Sequence, residues 1–382
     1  MATEISDWND LNAIRNNLSG DYILVADLDE NSAGYNTHAS SSANGGAGWE
    51  PIGEERDVDE FTGTFDGGGR TIQGLYISRG TDGLGLFGHI GTGGNVQNLH
   101  LTEIYIQRTG SPNGAIVNLG GISGESWGGD ISNCHVTGTI TVDDGRMVGG
   151  IIGRLFAAII EDCSFIGTII AGRTTGGIVG RTDNLGSIVR RCFVKATIES
   201  TRTEVGGLVG VSATDGILRD SYSISDMSTS DTTTDEIGGV MGLLRNDSQI
   251  INCYSAGTVD RNEGGVLGKD NDPATTHLEN SYWDTTVGPS NSALGEGRTT
   301  AQMQSISTYS PEWDIQDLNA YTNEIWAIRD GEEYPILRFE VRLLTNIKLS
   351  GAFRRKEIKV RISGTFVKAV QKVKVDGTWK NA

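Results

Sequence analysis

The amino-acid sequence predicts an all-β chain wound as a single-stranded right-handed parallel β-helix, with one coil for every 26–32 residues. An N-terminal cap helix and a small C-terminal antiparallel β-module are expected at its ends. Three observations carry this: a glycine-centred hexapeptide that recurs, a strand-like decapeptide that recurs in phase with it, and no helical pattern between them. Glycine dominates the composition, with 54 residues against 6 prolines. No Gly-X-Y period accompanies it, which excludes a collagen triple helix.

The hexapeptide reads LGGISG at 119–124, VGGIIG at 148–153, TGGIVG at 175–180, VGGLVG at 205–210, IGGVMG at 237–242 and EGGVLG at 263–268, after a degenerate GLGLFG at 83–88. Successive glycine pairs lie 29, 27, 30, 32 and 26 residues apart. A period of this size marks stacked supersecondary units. The decapeptide reads ISNCHVTGTI at 131–140, IEDCSFIGTI at 160–169, VRRCFVKATI at 189–198 and IINCYSAGTV at 250–259. Its alternation of apolar and polar positions, rich in β-branched residues, is strand chemistry. The Gly-, Asp- and Asn-rich stretches between strands are turns, which excludes leucine-rich-repeat and doubly wound folds. Each coil then rises by about 4.8 Å, the spacing of a sheet. On this view the glycines supply a positive φ or a missing Cβ at a tight turn, and the aliphatics between them stack on their own copies.

The cysteines obey the same period. Cys134, Cys163 and Cys192 are 29 residues apart, and Ser221, Cys253 and Ser281 follow at the equivalent position. With no CxxC spacing, and Ser221 between Cys192 and Cys253, a buried, reduced thiol and hydroxyl ladder is expected in place of disulfides or a metal site. Such thiols suit a reducing compartment. The preceding position holds Asn133, Asp162, Arg191, Asp220, Asn252 and Asn280, and the one before that includes Glu161, Arg190, Arg219 and Glu279. These read as an outward charge ladder. A carboxylate held between arginines has its pKa lowered, the wrong direction for the general acid of a glycan-cleaving pair. The five histidines show no metal-ligand spacing, and His100 and His135 are expected to stack.

The chain divides into an N-terminal cap and first strands (1–80), the repeats (81–290), an aromatic C-terminal cap (291–342) and a basic antiparallel module (343–382). In SDWNDLNAIRNNL, Trp8, Leu11, Ile14 and Leu18 recur at helical spacing, with Ser6 or Asp7 as N-cap. Trp313, Trp326 and Tyr334 are expected to plug the far end of the stack. The net charge is −18, yet residues 341–382 hold eleven Lys and Arg against Glu357 and Asp376. The tail is therefore +9 and the first 340 residues −27. Asp376-Gly377 is a hairpin signal. An acidic body argues against nucleic acid as a ligand. No run of about 18 apolar residues exists to cross a membrane as a helix, and no secretory leader is recognisable at the N-terminus.

The GGhhG copies resemble GLUG-motif repeats, which occur in bacterial surface adhesins and in non-catalytic N-terminal regions of some surface peptidases. GWEPIGEE…FTGTFDGGGRTIQGLYI at 48–77 and SYWDTT…WAIRDGEEYPILRF are similar to the flanks of such repeats, so the resemblance covers roughly residues 5–340. The tail FVKAVQKVKVDGTWKNA is similar to short β-modules of phage tail and virion proteins. With no leader, transporter signal or wall anchor recognised, the expectation is a non-enzymatic virion protein. This would be a tail-fibre or spike component, a homotrimer that binds a host surface polysaccharide or receptor and joins other virion proteins through residues 343–382. The alternatives are a polysaccharide-degrading tailspike, and a virion decoration protein or bacterial adhesin at the cell surface or secreted. Function is expected in the variable turn after each GGhhG: Trp127 and Phe156 as sugar-stacking aromatics, with Arg181 beside them. Asp270 and Asp272 in KDNDPATT could hold Ca²⁺, and no other cofactor is expected.

Overall fold

The computed structural model describes residues 1–340 apart from 55–56, 111–116, 143–146, 184–185, 231–235, 261–263, 272–276, 291–293, 310 and 319–323; beyond 340 it describes the strands 359–362, 365–368, 372–375 and 378–381. Two compact units result, Met1–Phe339 and Glu340–Ala382. The first is a parallel β-solenoid and the second holds antiparallel hairpins, so the expected fold class is the observed one.

Three parallel sheets form the walls of the solenoid. The longest carries the decapeptide, and its register repeats coil after coil: Ile131 pairs with Ile160, Ile160 with Val189, Val189 with Leu218, Leu218 with Ile250, and Ile250 with Leu278. Because side chains alternate faces with a period of two, a fixed register stacks like on like. Ile106, Ile140, Ile169 and Ile198 form a second such column, and all four are buried. The other two sheets are short, one of seven strands and one of six.

The GGhhG motif is the corner between the two short sheets. In the copy at 148–153, Gly149 ends the strand Met147–Gly149 and Ile152 begins Ile152–Phe156. These glycines keep ordinary φ values, so a positive φ is not what they supply. Space is. A Cβ on Gly149 would lie 2.1 Å from the Ile152 carbonyl oxygen, and one on Gly150 would lie 2.2 Å from the Gly177 oxygen and 2.3 Å from the Phe165 ring. Backbone meets backbone here, and no side chain fits between.

Left-handed backbone is found instead at Asn98, Asn133, Asp162, Arg191, Asp220, Asn252 and Asn280, where φ lies between 44° and 55°. This corner is also the expected charge ladder, in which Arg190 and Arg191 pair with Glu161 and Asp162. Asn and Asp recur there because they tolerate that conformation better than other side chains. They also bond along the axis: the Asn133 amide donates to Asn98 Oδ1 at 2.9 Å, and the Asn252 amide to Asp220 Oδ1 at 3.2 Å. Just after this corner the thiol ladder is present as expected, with all four cysteines free and buried.

Asp7 caps the helix Trp8–Ala13, its Oδ1 accepting from the backbone amides of Asn9 and Asp10 at 2.8 and 2.9 Å. Trp8, Leu11 and Ile14 are buried beneath it. At the other end the aromatic segment is not confined to the last coil, as a plug would be. It runs along the outside of the long sheet, where Phe193, Tyr222, Tyr254 and Tyr282 form an outward column. Tyr222 and Tyr254 stack at 4.8 Å, and Trp313, Trp326 and Leu337 close over the column in a second apolar core. Phe339 extends the cover to Phe193 and His135. The reason is chemical: an outward ladder of rings over several coils exposes more apolar surface than one open end.

In the second unit Lys359–Ile362 pairs antiparallel with Thr365–Lys368, and Lys372–Val375 with Thr378–Asn381, either side of Asp376-Gly377.

Candidate functional site

The residues after each GGhhG lie in a strand and not in a turn, which corrects the sequence expectation. Ser123–Trp127, Ile152–Phe156 and Val179–Asp183 are neighbours in the seven-stranded sheet. The glycine pair has already turned the corner, so the chain beyond it is fixed by its neighbours in register. Trp127 stands beside Phe156, and Phe156 beside Asp183; two residues earlier, on the same face, Glu125 stands beside Arg154, and Arg154 beside Arg181.

The structure therefore brings Trp127, Phe156 and Arg181 onto one face, and adds Arg154, Glu125, Asp183 and His89 to them as partners. The indole and phenyl rings stack at 3.7 Å between centroids, inclined by 14°. The Arg154 guanidinium lies 5.8 Å from the Trp127 ring and 5.9 Å from that of Phe156, within cation–π range. Arg154 Nε reaches Asp183 Oδ2 at 2.6 Å, and Arg181 Nε reaches Asp183 Oδ1 at 2.7 Å. On the other side Arg154 Nη1 is 3.3 Å from Glu125 Oε1, and His89 Nε2 is 3.5 Å from Glu125 Oε2. Burial works to raise the Glu125 carboxyl, but hydrogen bonds from His89 and the Trp127 indole, with the Arg154 charge, hold it below its ordinary range. The residue types at fixed offsets, ExW, RxF and RxD, are the signal in the sequence for this network.

The arrangement can bind but is poorly set for acid–base chemistry. Its carboxylates are already engaged by cations, while Trp127 and Phe156 keep partly exposed edges beside the guanidiniums of Arg154 and Arg181. The same holds for the carboxylates at the left-handed corner. Arg191 grips Asp162 through two contacts, Nε to Oδ1 at 2.7 Å and Nη2 to Oδ2 at 2.9 Å, and Arg190 and Arg191 both meet Glu161. Burial would raise Glu161, but hydrogen bonds from both arginines outweigh it and hold the carboxyl low. Asp270 ends the strand Leu267–Asp270, and Asp272 lies outside the described residues. Among the described residues no group of three or more His, Cys, Asp or Glu is placed to hold a metal ion. No helix among them is long and apolar enough to cross a membrane.

Comparison with known proteins agrees with this architecture. The family model described as "The GLUG motif" matches residues 117–141 and 144–170. Halomucin of Haloquadratum walsbyi is 37% identical over 172 residues, 43% of this chain and 2% of halomucin. The immunoglobulin A1 protease of Streptococcus sanguinis is 27% identical over 226 residues, 56% of this chain and 11% of the protease. The chain thus spans only a small part of the curated relatives it matches. A crystal structure of a candidate immunoglobulin A1 protease from Bacteroides ovatus superposes with a TM-score of 0.56 at 18% identity, covering 88% of this chain and 92% of that one. At that identity the likeness is one of fold. The chain is a parallel β-solenoid that carries the GLUG motif in two successive coils, residues 117–141 and 144–170.

Proposed function

We propose that this chain is a non-catalytic display region of an extracellular protein, held at the cell surface or secreted, and that it binds a glycan on the face built from Trp127, Phe156, Arg154 and Arg181. The supporting observation is that face itself: a ring stack with a guanidinium against it, held by paired strands on a rigid seven-stranded sheet. Rings combined with fixed polar donors suit the apolar faces and hydroxyls of sugars. The similarity to halomucin and to immunoglobulin A1 proteases supports the surface or secreted alternative over the virion one. Proteolysis belongs to those relatives as whole proteins, and the charge-paired carboxylates here give it no support.

Surface labelling of intact producing cells tests the location; a chain found only in the cytosol would refute it. A glycan array probed with the wild type and with Trp127→Ala tests the face. Binding that the substitution abolishes, with the β-sheet spectrum kept, is the expected result. Unchanged binding by the variant refutes the site, and new reducing ends released from a bound polysaccharide would show an enzyme.

A further inference from the structure

On the seven-stranded sheet, recognition is divided between two columns of the face that carries Trp127. One column holds His89, Glu125, Arg154 and Arg181 in successive coils. The other holds Trp127, Phe156 and Asp183, two residues further along the strands and so about 6.7 Å away. The rings have no donor to offer a ligand, because the Trp127 indole N–H is directed at Glu125 and Phe156 has none. They supply stacking surface, and polar contacts to a ligand fall to the neighbouring arginines.

The charges on this face are layered by depth. Glu125 accepts from Arg154, His89, the Trp127 indole and, at 3.2 Å, the Asn118 amide, while Asp183 accepts from both arginines. The Glu125 and Asp183 side chains are 4% and 9% exposed, against 19% and 29% for Arg154 and Arg181, so the acids lie beneath and the cations above. Arg154 engages Asp183 through Nε and Glu125 through Nη1. Arg181 engages Asp183 through Nε alone, and neither of its Nη groups donates to a described residue. The next positions in its column are Val211 and Leu243, both buried, so the column supplies no acid on its far side.

We propose that the open fork of Arg181 receives the carboxylate of an acidic sugar within an otherwise neutral glycan, while Trp127 and Phe156 pack against the sugar rings; this rests on the glycan-binding reading above. A planar guanidinium makes two parallel N–H···O bonds to the two coplanar oxygens of a carboxylate, whereas a single hydroxyl would use only one of them. A sulfate ester brings a third charged oxygen, and the face holds no second open fork to meet it, since Arg154 Nη1 is already on Glu125. A polymer charged at every unit would be repelled along its length by the first 340 residues, which carry −27, while one acid set against a guanidinium is shielded from that field.

Titrating the full-length protein with matched glycan pairs tests this: cellobiouronate against cellobiose, and sialyllactose against lactose. In at least one pair the acidic member should bind roughly tenfold or more tighter than the neutral one, and the margin should shrink as salt is raised. Arg181→Gln, with its β-sheet spectrum kept, should bring the acidic member to the level of its neutral partner. Arg181→Lys keeps the charge but loses the fork, and should still bind the acid at least about threefold more weakly than the wild type. The charge-matched Arg329→Gln, in the aromatic cover, should bind within about threefold of the wild type. No preference for the acid in any pair, a preference that survives Arg181→Gln, or an equal loss in Arg329→Gln would overturn the fork. Tighter binding of sulfated lactose than of sialyllactose, or of polygalacturonate than of both single-acid probes, would overturn the ligand class. Neutral glycans bound through Trp127 with no gain from the acid would sink this inference and leave the glycan site standing. Acid binding that needs Arg181 but is unchanged in Trp127→Ala would support the fork and refute the aromatic site.

Discussion

Cys134 and Cys163 occupy the same position in successive coils, and the backbone amide of Cys134 donates to the Sγ of Cys163 across 3.4 Å. Ser221 and Ser281 act likewise further along the stack, accepting from the amides of Cys192 and Cys253 at 3.0 and 3.1 Å. Each of these side chains also donates to the carbonyl two residues earlier in its own coil, as Cys163 does to Glu161 at 3.1 Å and Ser221 to Arg219 at 2.7 Å. What the position requires is a small side chain that can both accept and donate. Cys163→Ser should therefore change stability by less than about 1 kcal/mol, while Cys163→Ala should cost about 1–3 kcal/mol by leaving a buried amide unpaired. Urea denaturation of the two variants decides it, and equal midpoints would refute the bonding role. Burial pushes the thiols of Cys163 and Cys192 well above their ordinary range, so neither should react with a thiol reagent until the chain unfolds.

The glycine corners make a second, contrasting pair. Gly150→Ala would force a methyl onto the Gly177 oxygen and the Phe165 ring, and should cost about 3 kcal/mol or more, or prevent folding. Gly93 has a φ of +85° but open space around its Cβ position, so Gly93→Ala should cost only about 1–2 kcal/mol of conformational strain. Thermal melts of the two proteins should rank them in that order. The reverse ranking would mean that backbone conformation, and not space, sets the corner.

His135 is buried between His100 and Phe339, with its ring nitrogens 3.0 Å from Ser164 Oγ and 3.2 Å from Asn133 Oδ1. Burial, with the neighbouring His100, lowers its pKa from 6.5 to about 3. Between those values the unfolded chain binds a proton that the folded chain refuses, so stability rises with pH. The contribution is complete above about 6.5 and is lost as pH falls towards 3. From pH 7 to 5 carboxylates with ordinary or lowered values stay ionised, so the lowered histidines His135, His100 and His38 dominate this interval, with the raised carboxyl of Glu54 acting in the opposite sense. The melting temperature should fall across it, and less steeply in His135→Phe. A wild-type profile flat from 7 to 5 would contradict the assignment. Glu161, held low by its arginines, should add its loss only at lower pH, as the pH falls through its folded pKa.

Trp326 is fully buried against Tyr222, Tyr254 and Trp313 in the aromatic cover. Trp326→Ala should cost about 3–5 kcal/mol locally. Because the cover forms its own apolar core, the coils beneath should survive. Limited proteolysis should then cut within residues 300–339 and leave a protected solenoid. Digestion of the whole chain at one rate would show that cover and coils unfold together.

Much of this fold is legible because a solenoid must repeat itself to stack. The hexapeptide, the cysteine–serine column and the Asp7 cap are each visible as residue types at fixed intervals. Other features are hidden for physical reasons. A glycine codon does not say whether φ or the missing Cβ is being used, and the GGhhG glycines need only the space. The left-handed corner at Asn133, Asp162 and Asp220 is hidden because Arg191 interrupts the run of Asn and Asp that would mark it, and its ion pair with Asp162 reads only as charge. Trp127 reads as a turn residue because GESW lacks an apolar alternation of its own; its strand is imposed by the coils on either side. The outward column is present in the sequence as the ring following each small residue in CF, SY, CY and SY. Its meaning is that something later in the chain must lie over that wall.

The parallel register has a mechanical consequence. Hydrogen bonds between coils run along the axis, so tension applied between the two ends of the stack pulls on them lengthwise and not in shear. Under such a load one coil's ladder must fail before the next is exposed to the full force, and the stack peels from an end in steps. A stack of this kind would lengthen by one coil at a time and keep its remaining coils intact under load.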